Sequence, residues 1–560
     1  MGIGLILVEK GLITREQLER ALTEQRETGE RLDRVLVRLR FVSRAQVLQS
    51  LGDQFQMPVV DLAMIAPDRG VLSMLPPKLV YRQSCVPIDR HNGTLTIATS
   101  DPFEITALDE LRLLTGCSIE LVLADEEELS KFIRLHYGVG GDTLEQLSAD
   151  KDEQAQITGG EAEEIEQAQE ASVIKLVNDI LSEAINERAT DVHIEPYEGE
   201  LIVRYRIDGV LQKANVPATI NRFGAAIVSR LKIMSSLNIA EKRKPQDGRI
   251  TFVHRAPNTP TAEYDLRMSV IPMLFGEGVV LRVLSKTAVL LSLDDLGMDT
   301  QTQARWDRLI SRPHGIVLVT GPTGSGKSTT LYASLNRIVT DAVKVITVED
   351  PVEYHVAGVN QIQVNMKTGL TFAAGLRSIL RHDPDVVMVG EIRDKETAEV
   401  AIQASLTGHM VFSTLHTNDS SGATTRLLDM GVEPFLVSSS VEGVMAQRLV
   451  RRICEECGEP YKPEADEIPP DFEMSEGGML TRGRGCRSCR NTGYRGRVGV
   501  YELLSLTHEL RDMIMHRRNA PDIAAEALRQ GHLTVLRADG FAKVRQGRTT
   551  LSEVARALTA

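Results

Sequence analysis

Ile316-Val317-Leu318-Val319-Thr320-Gly321-Pro322-Thr323-Gly324-Ser325-Gly326-Lys327-Ser328-Thr329 is the stretch on which the reading of this chain turns. An uncharged apolar run ends in G-x-x-x-x-G-K-[ST], and helix-compatible residues follow at Leu331, Ala333 and Leu335. Strand, glycine loop and helix in that order form the context in which the pattern cradles nucleotide phosphates. Glycine at 321, 324 and 326 lets the backbone turn tightly and bring N–H groups close to phosphate oxygens. Lys327 carries a positive charge to the β- and γ-phosphates, and Ser328 offers a hydroxyl to Mg²⁺. Gly321, Pro322, Thr323, Gly324, Ser325, Gly326, Lys327, Ser328 and Thr329 are the expected nucleoside-triphosphate site.

The chain has 560 residues, too many for one core, so about three or four domains are expected. Its 42% apolar and 25% charged content is ordinary for a soluble globular protein. No uncharged apolar stretch approaches a membrane span. The apolar run Ile3–Val8 has no basic segment ahead of it, and Glu9 and Lys10 follow at once, which argues against a signal peptide. A cytoplasmic protein is expected. The net charge of −13 argues against nonspecific affinity for nucleic acid.

Working outward, residues 1–60 contain a repeat of 29 positions: Ile3, Leu7, Val8, Leu22 and Gln25 recur as Leu32, Leu36, Val37, Leu51 and Gln54. Thr14-x-x-Gln17 and Ser43-x-x-Gln46 are capping boxes that start a helix in each copy. Residues 61–138 alternate strand-like runs (Thr94–Ala98, Ile119–Val122) with helical ones and form a small α/β unit. Residues 139–171 read as an acidic, flexible linker, too poor in large apolar residues to offset its ordering entropy. A second domain is expected over 172–290, opening with a helix from Val173 to Ile185. The P-loop domain fills 291–560.

Within that last domain, Val345–Glu349 and Val386–Glu391 are apolar strands that end in acids. Strand ends near the phosphates supply the groups that hold Mg²⁺ and orient the attacking water. Glu349 and Glu391 are the two candidates for the base, with Glu391 on the metal side. A third apolar strand, Met410–Thr414, is flanked by His409 and His416. Either histidine could sense the γ-phosphate by hydrogen bonding.

Two C-x-x-C pairs lie at 450–495: Cys454 with Cys457, and Cys486 with Cys489, with 28 residues between the inner cysteines. In a cytoplasmic chain such pairs suggest metal before disulfide, and four thiolates closing a tetrahedral shell suggest structural zinc. Cys85 and Cys117 stand alone and read as buried apolar residues.

Three runs carry a family resemblance. Val348-Glu349-Asp350-Pro351, the run from Arg381 to Asp394, and Gly408-His409 to Asn418 resemble the Asp box, Walker B region and His box of the secretion ATPases. These are the motors of type II secretion and type IV pilus assembly. The resemblance implies an α/β protein with a P-loop (RecA-like) C-terminal ATPase domain. An α+β (PAS-like) domain would precede it, after an N-terminal helical and α+β region that binds a partner. It implies a homo-hexamer at the cytoplasmic face of the bacterial inner membrane that hydrolyses ATP. Arg204, Arg206, Arg249 and Arg267 of the second domain would neutralise developing phosphate charge, with Arg282 as a further candidate. The tetracysteine site agrees with the family's assembly motors. The runs Gly375–Arg381 and Glu442–Arg451 look more like the type II branch than like pilus extension motors. A pilus extension ATPase is the alternative, and a DNA-translocating relative, suggested only by the arginines around the cysteines, is another. No nucleic-acid partner is expected. An inner-membrane recruiter protein, bound by the N-terminal region, and an inner-membrane platform protein are the expected partners.

The repeat at 1–60 resembles a domain that binds cyclic di-GMP in some family members. Copy one has Gly2 where that pattern has Arg. Copy two keeps Arg31 but has Asp33 and Arg40 in place of both glycines. These departures favour a docking domain over retained cyclic di-GMP binding.

Overall fold

The structure, a computed structural model, describes residues 3–28, 31–100, 108–141, 143–144, 171–255, 261–285, 291–474 and 477–559. It divides into two units, Met1–Thr287 and Ala288–Ala560.

In the first unit the repeat folds as two helix pairs, Ile3–Glu9 with Arg15–Thr28 and Leu32–Arg38 with Arg44–Phe55. Both capping boxes form: the Thr14 N–H donates to Gln17 Oε1 (2.8 Å) and the Ser43 N–H to Gln46 Oε1 (2.9 Å). Equivalent positions of the two copies, Leu7 with Leu36, Ile13 with Val42 and Leu18 with Val47, are buried in one shared cluster. Each copy thus supplies half of a core that neither could close alone. Gly11 and its counterpart Arg40 both adopt left-handed backbone, φ +67° and +57°, so the second copy keeps the turn without the glycine.

A small sheet follows, ordered β1 (Cys85–His91), β2 (Thr94–Thr99), β3 (Ser118–Leu123). The helix Glu126–Tyr137 packs on it, its start capped by the Asp125 carboxylate. The stretch read as a flexible linker begins folded: Val139 and Leu144 are buried in the same core cluster as the helix Ala171–Asn186. Apolar burial wins there over the local charge. Residues 145–170, which hold most of the acidic side chains of the stretch, lie outside the described residues.

The second sheet of this unit is antiparallel throughout. Its strands are β4 (Asp191–Tyr197), β5 (Glu200–Ile207), β6 (Val210–Lys213), β7 (Gln246–His254), β8 (Ala262–Met273) and β9 (Gly276–Ser285), in the order β6-β5-β4-β9-β8-β7. Strict alternation makes it one-sided. Leu201, Val203, Tyr205 and Ile207 of β5 join Val192, Leu281, Leu266 and Met268 under the helices Ala171–Asn186 and Gly224–Met234. The residues between them, arginines above all, point to the other face.

The second unit is built on one eight-stranded sheet. In chain order its strands are β10 (Gly315–Thr320), β11 (Val345–Glu349), β12 (Val359–Gln363), β13 (Val386–Val389), β14 (Met410–Leu415) and β15 (Val441–Ile453). After a small pair, β16 (Gly458–Tyr461) and β17 (Leu480–Gly483), come β18 (Tyr494–Ser505) and β19 (Leu533–Thr534). The sheet order is β12-β11-β13-β14-β10-β15-β18-β19. Neighbours from β12 to β15 run parallel, and β18 and β19 turn antiparallel. Every residue of β10, β11, β13 and β14 is buried, as a parallel sheet covered on both faces requires. Such a sheet collects the C-terminal ends of its strands along one edge, and the loops after them can build a site there.

Candidate nucleotide site

β10 runs directly into the glycine loop, and the helix Lys327–Ile338 starts at its last turn. Gly321 and Gly326 are required by contact as well as by backbone angle. A Cβ on Gly321 would lie 2.5 Å from the Gln447 carbonyl oxygen, and one on Gly326 would lie 2.7 Å from Gln447 Nε2. Pro322, Thr323, Gly324 and Ser328 are exposed, while the Ser325 hydroxyl is buried without a hydrogen-bond partner. A phosphate oxygen would satisfy it, so the loop fits an anion. Lys327 folds back onto the loop, its Nζ donating to the carbonyls of Gly321 (2.8 Å) and Pro322 (3.1 Å). Burial pushes the Lys327 ammonium down to about 8, against the attraction of Glu391, and the Arg448 cation adds to the fall. A bound polyphosphate would reverse that imbalance.

Parallel register carries the acids to the same edge. Thr320 lies opposite Leu415, Val389 opposite Ser413, and Val348 opposite Val389. Glu391 follows β13 and accepts from Arg393 and from His416 Nε2 (3.1 Å). Burial pushes the Glu391 carboxyl up, but Arg393 and His416 outweigh it and hold the group below its ordinary value. Glu349, at the end of β11, is 4% exposed. It accepts from the Tyr332 hydroxyl, from Thr347 Oγ1 (2.5 Å) and from Gln361 Nε2 (3.2 Å).

The two histidines part. His416 follows the C-terminal end of β14, beside Glu391. His409 precedes the N-terminal end, where its backbone carbonyl accepts from Gly315 N–H and its ring bonds the Ala404 carbonyl (2.9 Å). The six residues of β14, at about 3.4 Å each, put His409 roughly 20 Å from that edge.

In the first unit, cross-strand register lines up one row of side chains. Arg206 faces Asp191, Asp191 faces Arg282, Arg282 faces Arg267, and Arg267 faces Arg249. Arg204 lies one pleat away, bound to Glu195. All five arginines therefore share the face opposite the one packed under the helices Ala171–Asn186 and Gly224–Met234. Asp191 is shared by Arg206 (3.6 Å) and Arg282 (3.5 Å), and Asp265 by Arg249 and Arg267. Interleaved carboxylates let so many like charges sit on one face.

A family model described as Type II/IV secretion system protein matches residues 166–556. The chain belongs to that secretion-system family. It is 42% identical over 566 residues to the type IV pilus assembly ATPase PilB of Myxococcus xanthus, covering 99% of this chain and 98% of that one. It is 45% identical over 467 residues to the type II secretion system protein E of Pseudomonas aeruginosa, covering 82% and 91%. The Legionella pneumophila ATPase DotB shares the fold, with a TM-score of 0.50 at 22% identity over 68% of this chain and 95% of DotB. A model described as the MshEN domain matches residues 55–143, which begins near the end of the repeat and covers the small α/β unit. Family and site together make the chain a P-loop ATPase.

In this secretion-family chain the four cysteines close on one point. Cys454 Sγ lies 3.8 Å from Cys486 Sγ, and Cys489 Sγ lies 3.7 Å from both Cys457 Sγ and Cys486 Sγ. A tetrahedral ion with metal–sulfur bonds of about 2.3 Å needs sulfur–sulfur edges of about 3.8 Å, so the donor set fits zinc. The long insertion between the pairs leaves as β16 and β17.

Sequence reasoning missed two residues of β15 beside the loop. Gln447 accepts from Thr330 Oγ1 (2.7 Å) and packs on Gly326. Arg448, 5% exposed, reaches Gly321 and donates to the Asn418 carbonyl (3.1 Å). Both lie more than a hundred residues from the P-loop in sequence, so only the β10–β15 pairing reveals them. No helix among the described residues is long and apolar enough to cross a membrane.

Proposed function

We propose that this secretion-family ATPase is the cytoplasmic motor of a type II secretion system, coupling ATP hydrolysis to pseudopilus assembly and protein export. The observation that carries the chemistry is the convergence of Lys327, Glu349, Glu391 and His416 on one edge of the parallel sheet. Lys327 binds the β- and γ-phosphates. Ser328 and Glu391 would hold Mg²⁺, which neutralises phosphate charge when bound. Glu349 accepts the proton of the attacking water, and His416 fixes the Glu391 carboxylate. Arg204, Arg206, Arg249 and Arg267 would exchange their carboxylate partners for phosphate oxygens when a nucleotide reaches them. Cys454, Cys457, Cys486 and Cys489 would hold a structural zinc.

The chain acts in this reading as a homo-hexamer at the inner membrane, where a platform protein receives the stroke and the N-terminal region docks on a membrane recruiter. Arg31, the arginine kept in the second repeat, bonds Asp33, the residue that stands in place of glycine (3.1 Å). That pair supports docking over cyclic di-GMP binding. The strong likeness to a PilB over nearly the whole of both chains favours, as a second reading, a pilus extension motor. Deleting the gene in its host separates the two. Loss of protein export with surface pili intact is expected, and loss of pili with export intact would overturn the type II assignment.

A further inference from the structure

Glu349 is a buried carboxylate without a hydrogen bond or ion pair to any lysine or arginine among the described residues. Its oxygens are held instead by three neutral donors. Tyr332, fully buried on the helix that Lys327 opens, donates its hydroxyl to Oε2, and Thr347 and Gln361 donate to Oε1. With donors on both oxygens, the cage fixes the direction in which the Glu349 carboxylate points.

The cage is itself braced. Gln361 sits opposite Thr347 in the β11–β12 register, with its Oε1 accepting from the Val356 N–H (3.0 Å) and its Nε2 also donating to the Tyr354 carbonyl (3.2 Å). The Tyr354 ring stands edge-on to Tyr332, 4.6 Å between centroids, and its hydroxyl is hydrogen-bonded to Thr329. The Tyr332 oxygen also accepts from the Glu353 N–H (3.3 Å). The titratable groups facing Glu349 are therefore Tyr332 from the P-loop helix and Tyr354 and Glu353 from the segment after β11.

We propose that the Tyr332 hydroxyl is a positioning group for hydrolysis: it aims the Glu349 carboxylate at the attacking water. This deepens the reading of Glu349 as the base and rests on it. Because Tyr332 shares a helix with Lys327 and Ser328, the residues that meet the phosphates and the residue that holds the base move as one piece.

The test is the rate of single-turnover hydrolysis by the full chain and its dependence on ATP concentration. In Tyr332→Phe the rate is expected to fall about tenfold, the equivalent of one hydrogen bond to a charged group, with KM for ATP within about twofold. Gln361→Met, which removes a donor from the other oxygen at a less buried position, should lower the same rate with KM again little changed, even if the phenylalanine variant folds poorly. An unchanged rate in a folded variant, or a loss carried by KM, would overturn the proposal. Glu349→Gln separates this from failure of the parent reading: wild-type turnover there would remove Glu349 as the base, whereas a dead Glu349→Gln beside an undiminished Tyr332→Phe would overturn only the role of Tyr332.

Discussion

Lys327→Ala is expected to lower steady-state ATP hydrolysis by about a thousandfold or more while leaving the fold intact. The ammonium now lies on the Gly321 and Pro322 carbonyls, a resting position from which a polyphosphate would draw it. No other lysine of the described structure is placed in that loop. The fold should survive because the charge does not stabilise the empty protein. The Lys327 ammonium is held at about 8, below its ordinary value, so below pH 8 folding must keep a proton on a group that burial disfavours. That cost fades as pH rises through 8 toward the unfolded value. Phosphate release and thermal melting of the same preparation check both halves. Near-normal turnover in a folded variant would show that the loop does not perform the chemistry assigned to it.

The second large effect concerns the cysteines. With zinc held as proposed, replacing Cys454 and Cys457 together by serine should remove one bound zinc per chain and lower Tm by about 10 °C or more. Structural zinc sites contribute apparent binding energies of about 10–16 kcal/mol, only part of which the rest of this large unit needs to surrender. Cys454 begins the turn after β15, Cys489 accepts from the Gly493 N–H just before β18, and β15 and β18 pair along most of their length. Loosening the cluster therefore loosens the antiparallel edge that carries Gln447 and Arg448 to the P-loop. Metal analysis and calorimetry on wild type and variant check this. Four free thiols in the wild type, with no metal and an unchanged Tm in the variant, would contradict it.

How much of this was legible in the sequence depended on whether a signal was contiguous. The P-loop was, because strand, glycines, lysine and helix lie within one short run. The paired cysteines were, because C-x-x-C fixes two ligands locally and only one closure remains. The capping boxes and the repeat core were, because their spacings are helical. Residues whose role depends on strand register were not. Nothing in Thr407-Gly408-His409 or Leu415-His416 says which end of the strand meets the phosphates; the parallel β10–β14 pairing decides it and leaves His409 at the far edge. The arginines were readable as candidates one at a time. That five of them share a face follows only from pairing β5, β4, β9, β8 and β7 in register. The cage on Glu349 was hidden for the same reason, since Tyr332 and Gln361 come from a helix and a strand on either side of it. Val139 and Leu144 show the opposite error: acidic composition masked two apolar residues with a core to join.

The proposed reaction is hydrolysis of ATP at the strand-end edge, with Glu349 as the base. Phosphate release by purified full-length chain with Mg²⁺ and ATP, measured beside Glu349→Gln and with nucleotide binding followed in the same samples, tests it most directly. Sustained release by the wild type is expected, with a fall of about 10²- to 10⁴-fold in the variant and ATP still bound by both. Equal turnover in the two, or binding without release in the wild type, would contradict it.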